Sequence, residues 1–299
     1  MAKTLDLNGV TLTRTFEWQG NLMTRPQLIP ASDRADWEAN RSWLAPTFWD
    51  PATEDTWLCS QTIVVRSAGK TILIDTGIGN HKPRPYIPPF DNLDTGFLKN
   101  LRTAGVDPAE VDIVINTHLH ADHVGWNTHL VGEQWVPTFP NATYLLPQAD
   151  FDHWNPEGDT EPSGGMDQAP VFADSVLPVV RAGLVQFYNG THLIDEHLTL
   201  KPAPGHSPGS SIVHVSSRGS EKVIVAGDVF HTPMEILRPD QGACFDEDHA
   251  LAVQSRRRLL AQAAEQSLPI ITGHFPIDRA AVVARRGDSY VIDDWVSIQ

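Results

Sequence analysis

Apolar residues in this chain gather in short blocks, the length of buried strands rather than of long helices. Thr62-Ile63-Val64-Val65 and Thr71-Ile72-Leu73-Ile74 sit in strand-like stretches at 57–66 and 71–75, and Ser67-Ala68-Gly69-Lys70 between them predicts a hairpin turn. Asp107-Pro108-Ala109-Glu110 resets the chain before Val111-Asp112-Ile113-Val114-Ile115, which reads as a buried strand, and Thr143-Tyr144-Leu145-Leu146 reads as another. Further strands are expected at 197–202, 211–216, 222–226 and 269–272, the last followed by a short tail. Helical spacing appears at 94–104, where Phe97, Leu98 and Leu101 share a face, at about 170–187, and at about 247–265. Asp246-Glu247-Asp248 stands at the positive end of that last helix. Residues 155–170 hold Pro, Gly, Asp and Glu without period and read as a mobile or lid-like loop. Strands and helices alternate in both halves with no low-complexity linker, which predicts a layered α/β fold.

Composition narrows the class. The chain has 299 residues and 33.0 kDa, with 41 % hydrophobic and 20 % charged positions, and this fits a globular protein built around a large core. The expected organisation is one domain over 1–299, with an N-terminal extension of about 1–50 that packs on the core or makes a dimer contact. Asp and Glu number 37 against 22 Lys and Arg, so 37 − 22 leaves a net charge of −15. Such a surface repels phosphate backbones and anionic lipid, so neither nucleic acid nor a membrane is an expected partner. Arg256-Arg257-Arg258 is the one compact basic run, and it reads as a solvated helix face. No apolar run reaches the roughly 20 residues of a membrane span, and Met1 to Trp18 has no apolar leader region. With only Cys59 and Cys244, a disulfide framework is not expected and a cytoplasmic location is.

Histidine changes the picture. Thr117-His118-Leu119-His120-Ala121-Asp122-His123-Val124-Gly125 leaves the apolar strand 111–115 and stops at a glycine. In an extended exit His118 and His120 project to one side and can grip one ion, while Asp122 and His123 after the turn can face a second. Imidazole nitrogen and carboxylate oxygen are the ligands that zinc and its neighbours take. Four ligands do not close two sites, but three more residues occupy strand ends beside glycine: His206 in Pro204-Gly205-His206-Ser207-Pro208-Gly209, Asp228 after Val223-Ile224-Val225-Ala226-Gly227, and His274 after Ile270-Ile271-Thr272-Gly273. Gly205-His206-Ser207-Pro208-Gly209 also spells a nucleophile elbow, yet the residue after its serine is a proline, which lacks the N–H that an oxyanion hole would use.

Taken in order, Asp75 in Ile74-Asp75-Thr76-Gly77, the His118-x-His120-x-Asp122-His123 segment, His206, Asp228 and His274 resemble the five signature regions of the metallo-β-lactamase superfamily. The resemblance runs from about residue 57 to 276. It implies an αββα sandwich, two mixed sheets flanked by helices, with two divalent metal ions at one edge, zinc being the expected ion. By that correspondence His118, His120 and His206 hold the first metal, Asp122, His123 and His274 the second, and Asp228 bridges them. Asp75 corresponds to a residue that supports the ligands from behind, and it also reads as a turn-forming residue before Gly77.

The implied chemistry is hydrolysis. Two cations about 3.5–4 Å apart lower the pKa of a shared water toward about 7 and polarise the bond to be cleaved. Asp122 and Asp228 would orient the resulting hydroxide and accept its proton. Asp228 argues against the antibiotic-degrading branches, which lack that bridging residue. The full ligand set resembles the acyl-homoserine lactonase branch, which carries a tyrosine three residues past the bridging aspartate. His231 stands there instead, and this looks like the relatives of methyl parathion hydrolase. His231 could donate to the leaving oxygen or simply pack beneath the metals. The aromatic residues Phe90, Trp126, Trp135, Phe230 and Phe275 and the proline-stiffened stretch 81–90 suggest a neutral, partly apolar substrate: a lactone, an aryl ester or a phosphotriester. An iron-dependent oxidoreductase on the same fold and a β-lactam or thioester hydrolase are the alternatives. The resemblance also suggests a homodimer.

Overall fold

The computed structural model of the protein describes residues 4–158 and 168–298. Its strands form two seven-stranded sheets and one small hairpin. The first sheet runs β1 (Thr4–Asp6), β2 (Val10–Thr24), β3 (Asp55–Ser67), β4 (Lys70–Ile74), β5 (Ile113–Ile115), β8 (Thr143–Pro147) and β9 (Val185–Tyr188). The second runs β10 (His192–Leu193), β11 (Leu198–Pro202), β12 (Ser211–Ser217), β13 (Ser220–Val225), β14 (Ile270–Ile271), β15 (Arg279–Arg286) and β16 (Ser289–Ser297). β6 (Thr128–Val131) and β7 (Gln134–Pro137) pair apart from both. Each large sheet is mixed, since β4, β5, β8 and β9 are mutually parallel and β13 pairs with β14 in parallel.

Period-two burial explains the layering. On β3, Ile63 and Val65 join Ile72, Ile74 and Ile115 against Val213, Val215, Val223 and Val225 of the other sheet, forming the core between the sheets. Val64 and Leu73 point the other way, onto Phe97 and Leu101 of helix Phe97–Thr103 and onto Phe172 and Val176. Ile224 and Ile270 pack outward against Leu259, Leu260 and Ala263 of the helix His249–Gln266. Helix, sheet, sheet and helix are thus stacked in that order, the expected αββα arrangement.

Three segments depart from expectation. The stretch after 272 is not a tail: β15 and β16 form a long antiparallel hairpin around Gly287. Its alanine-rich first strand, Ala280-Ala281-Val282-Val283-Ala284, carries little strand propensity and owes its conformation to pairing and burial. The helix expected over 170–187 ends at Arg181; Gly183, with φ +70°, turns the chain and Val185–Tyr188 becomes edge strand β9. Within residues 1–50, β2 is a 15-residue strand paired with β3 along its length. The Thr and Arg residues at its middle hid it, for Thr13, Arg14 and Thr15 are buried polar groups. Of the loop expected at 155–170, residues 159–167 lie outside the described residues; Gln168 and Pro170 border a recess beside His120 and Asp122. Among the described residues no helix is long and apolar enough to cross a membrane.

Candidate metal centre

Four chain segments deliver the site, each just past the end of a strand. β5 ends at Ile115 and releases His118 and His120, and the short helix Ala121–Val124 presents Asp122 and His123. His206 lies in the turn between β11 and β12, Asp228 follows β13, and His274 follows β14. Hydrogen bonding makes these exits tight. Asn116 Nδ2 donates to the His123 carbonyl at 2.8 Å, and the backbone N–H of Thr76 donates to the same oxygen at 2.8 Å. Gly205 has φ +130°, and a Cβ there would run into the backbone of Ala252, so only glycine lets the His206 turn lie against the long helix.

All seven sequence-predicted donors converge. His120 Nδ1 lies 3.1 Å from His118 Nε2 and 2.9 Å from His206 Nε2. Imidazole nitrogens bound at about 2.0–2.1 Å to one tetrahedral ion stand about 3.3 Å apart, so this spacing fits a shared cation. Asp122 Oδ2 lies 3.9 Å from His123 Nε2 and 3.8 Å from His274 Nε2, which forms a second set. Asp228 reaches both: Oδ1 is 3.1 Å from His123 Nε2, and Oδ2 is 2.8 Å from His274 Nε2 and 3.4 Å from His206 Nε2. Six of the seven are buried, and Asp122 is partly so. His123 Nε2 and Asp228 Oδ1 have no hydrogen-bond partner although both are buried, a cost that a cation between them would remove.

Electrostatics agree with ligand chemistry. Burial, reinforced by the neighbouring imidazoles, holds the pKa of His118 and His120 well below the usual histidine value, so their lone pairs are free for a cation. Burial opposes charge on His123 as well, but Asp228, Asp75 and Asp122 outweigh it and raise that ring well above the usual value. Burial works against the Asp228 carboxylate too, yet His123, His274 and His118 hold its pKa well below the ordinary range.

His231 also lines this cavity. Its Nε2 is 3.6 Å from Asp228 Oδ2 and its ring stacks on that of His274 at 5.2 Å. Burial lowers its pKa, but the carboxylates of Asp228 and Glu235, 3.6 and 3.7 Å from its two ring nitrogens, push it up to about 10. With His206 and Asp228 it forms a further group whose ligand atoms lie within 4.8 Å of one another.

The supporting groups were mostly invisible in the sequence. Asp75 Oδ2 meets His123 Nδ1 at 2.9 Å and its Oδ1 accepts the Thr117 N–H at 2.8 Å, so Asp75 orients ligands as well as shaping a turn. The Cys59 carbonyl faces His274 Nδ1 at 2.9 Å. Asp246 Oδ1 stands 3.5 Å from His206 Nδ1, and Glu235 Oε2 accepts the His231 backbone N–H at 2.6 Å. Arg256 anchors that pair of carboxylates, 2.6 Å from Asp246 and 3.8 Å from Glu235. It is 1 % exposed, which corrects the reading of Arg256-Arg257-Arg258 as a solvated face; only Arg257 and Arg258 are exposed. A lone acidic residue outside any motif gives no signal in one sequence, and helical period could have flagged Arg256 four residues after buried Ala252.

Above the donors lies a cavity of about 210 Å³ walled by Leu22, Met23, Leu58, Tyr86, Phe90 and Phe245. Of the expected pocket aromatics only Phe90 is there. Trp126 stacks on Phe97 and donates to Glu17, Trp135 lies 3.9 Å from Lys82 Nζ, and Phe230 and Phe275 belong to the core. Local sequence proximity to a ligand does not fix which side of a strand a ring faces.

The profile of the metallo-beta-lactamase superfamily matches residues 55–274, and the chain belongs to that superfamily. It is 28 % identical over 198 residues to the N-acyl homoserine lactonase AttM of Rhizobium radiobacter, a match covering 64 % of this chain and 68 % of that protein. It is 31 % identical over 206 residues to metallo-beta-lactamase domain-containing protein 1 of Mus musculus, covering 68 % of this chain and 60 % of that protein. Among solved structures, AidC, a dizinc quorum-quenching lactonase in complex with a product, superposes with a TM-score of 0.77 at 20 % identity, over 99 % of this chain and 97 % of that one.

Proposed function

We propose that this protein is a dinuclear metal-dependent hydrolase of a neutral ester-type bond, with lactones as the leading substrates. Support comes first from the single carboxylate of Asp228 lying within ligand distance of both donor sets. His118, His120 and His206 would hold one ion, Asp122, His123 and His274 the other, and Asp228 both. A set of imidazole nitrogens with two or three carboxylate oxygens suits zinc. Two such ions, when bound, acidify water toward neutrality and polarise a carbonyl.

The chain's own residues then divide the remaining work. The carboxylates of Asp122 and Asp228 would orient the attacking oxygen and take its proton. The imidazolium of His231, held by Glu235 and Asp228, would donate to the leaving oxygen. The apolar walls above would bind an uncharged acyl or ring portion and exclude water. Relatives described as N-acyl homoserine lactonases favour lactones over phosphotriesters and aryl esters.

A substrate panel tests this. Purified protein is assayed on a γ-lactone, an N-acyl homoserine lactone, an aryl ester, a phosphotriester and a β-lactam, with and without a chelator. The lactones should be opened fastest, and chelation should stop it. Exclusive turnover of the β-lactam, or lactone opening that survives chelation, would contradict the proposal.

A further inference from the structure

We propose that Asp150 is the positioning residue for the first donor set alone, fixing the distance between the two turns that carry His118, His120 and His206. This rests on the two-ion reading above. Asp150 stands near the start of the helix Gln148–Trp154, just past β8, and is fully buried. Its Oδ2 accepts the backbone N–H of Leu119 at 3.0 Å and the hydroxyl of Ser207 at 2.9 Å; its Oδ1 accepts the backbone N–H of Gly209 at 2.5 Å.

Leu119 lies between His118 and His120, and Ser207 follows His206, so both ends of the clamp are one residue from a donor. Besides Asp150, a single backbone bond joins the two segments among those described, from the Ser211 N–H to the Thr117 carbonyl at 2.9 Å. A third element thus holds both, and His120 Nδ1 and His206 Nε2 come to rest 2.9 Å apart. The approach is close enough that a Cβ at Gly209 would stand 2.8 Å from Asp150 Oδ1, which explains a glycine there. It also gives Ser207 an occupation: its hydroxyl lies between Asp150 and Ser210 Oγ, 2.7 Å away, inside the elbow-like pentapeptide.

The second set has supports of its own, although Asp75 also reaches the first through Thr117, whose Oγ1 lies 3.1 Å from His118 Nδ1. His123 leans on Asp75 and Asn116, and His274 on the Cys59 carbonyl. None of these contacts passes through Asp150. A carboxylate whose bonds reach only one donor set predicts a site-selective defect, whereas a merely structural residue would weaken both sites or neither.

The experiment is Zn2+ titration of metal-free Asp150→Asn in competition with a chromophoric chelator. Outer partners of ligating groups typically contribute 10–100-fold in affinity. Wild type should take up two ions, and Asp150→Asn should keep one at wild-type affinity and bind the other about 10–100-fold more weakly. Added to His206→Ala, Asp150→Asn should cost nothing further; added to His274→Ala, it should weaken the remaining ion. If Asp150→Asn does not fold, Ser207→Ala removes one of the three contacts, and a several-fold loss at one site only is expected. Two ions held at wild-type affinity by the variant that folds, or equal weakening of both, would overturn the inference. Wild-type protein that binds no ion would instead overturn the two-ion reading beneath it.

Discussion

At the residue scale the site depends on donors whose chemistry was legible because it is local. His118, His120, Asp122 and His123 lie in one segment, and glycine beside His206, Asp228 and His274 marks the end of each strand. Their supporters are different: Asp150, Glu235 and Asp246 are single acidic residues, and only folding brings them to the back of the histidines. Replacing Asp122 by alanine leaves the sheet core intact and should lower lactone turnover by a thousandfold or more, roughly 4 kcal/mol of barrier, with an unchanged circular dichroism spectrum. Unaltered turnover would remove Asp122 from the chemistry. His231→Phe should cost turnover on the order of 10²-fold, the usual scale for a lost proton donor, while metal content stays at wild-type level. Parallel loss of metal would make His231 a ligand, a role its place beside His206 and Asp228 leaves room for.

At the scale of elements, turns that carry donors are pinned by buried contacts, and two substitutions read that out. Gly205→Ala forces a side chain into a left-handed conformation and into the helix His249–Gln266, so it should cost roughly 2–5 kcal/mol and appear as a lowered Tm together with weaker metal binding. Asp150 carries a pH signature. Burial raises its carboxyl pKa to about 7, with Glu247 adding to the shift, against the partly opposing bonds from Gly209, Ser207 and Leu119. The folded value exceeds the unfolded one, so the folded chain holds an extra proton between about pH 4 and 7, and stability falls as pH rises through that window. The ceiling on that fall is on the order of 4 kcal/mol, and Asp150→Asn should flatten it. Urea midpoints of metal-free protein at pH 5 and 7.5 check this; equal slopes in both proteins would contradict it. Strands with apolar alternation were legible at this scale. β2 and β15 were not, because buried Thr and Arg in one and alanine in the other carry a polar or helix-like signal that sheet pairing overrides.

Across the whole molecule, the layering of two mixed sheets between helices follows from period-two burial on strands that are apolar on both faces. The gaps were the strands before residue 55 and after residue 271, which extend the two sheets outward from the strands that were expected. The net charge of −15 sets a long-range field over an apolar cavity. Turnover of a neutral lactone should therefore vary little with salt, while an anionic analogue should be slow at low ionic strength and speed up as salt screens the field. Identical salt profiles would show that the field does not reach the cavity. The most direct test of the paired-ion claim is the rate of lactone opening as metal-free protein is titrated with Zn2+. Activity that rises from zero and saturates at two equivalents per chain is expected; activity before any metal is added, or none at any equivalence, would contradict it.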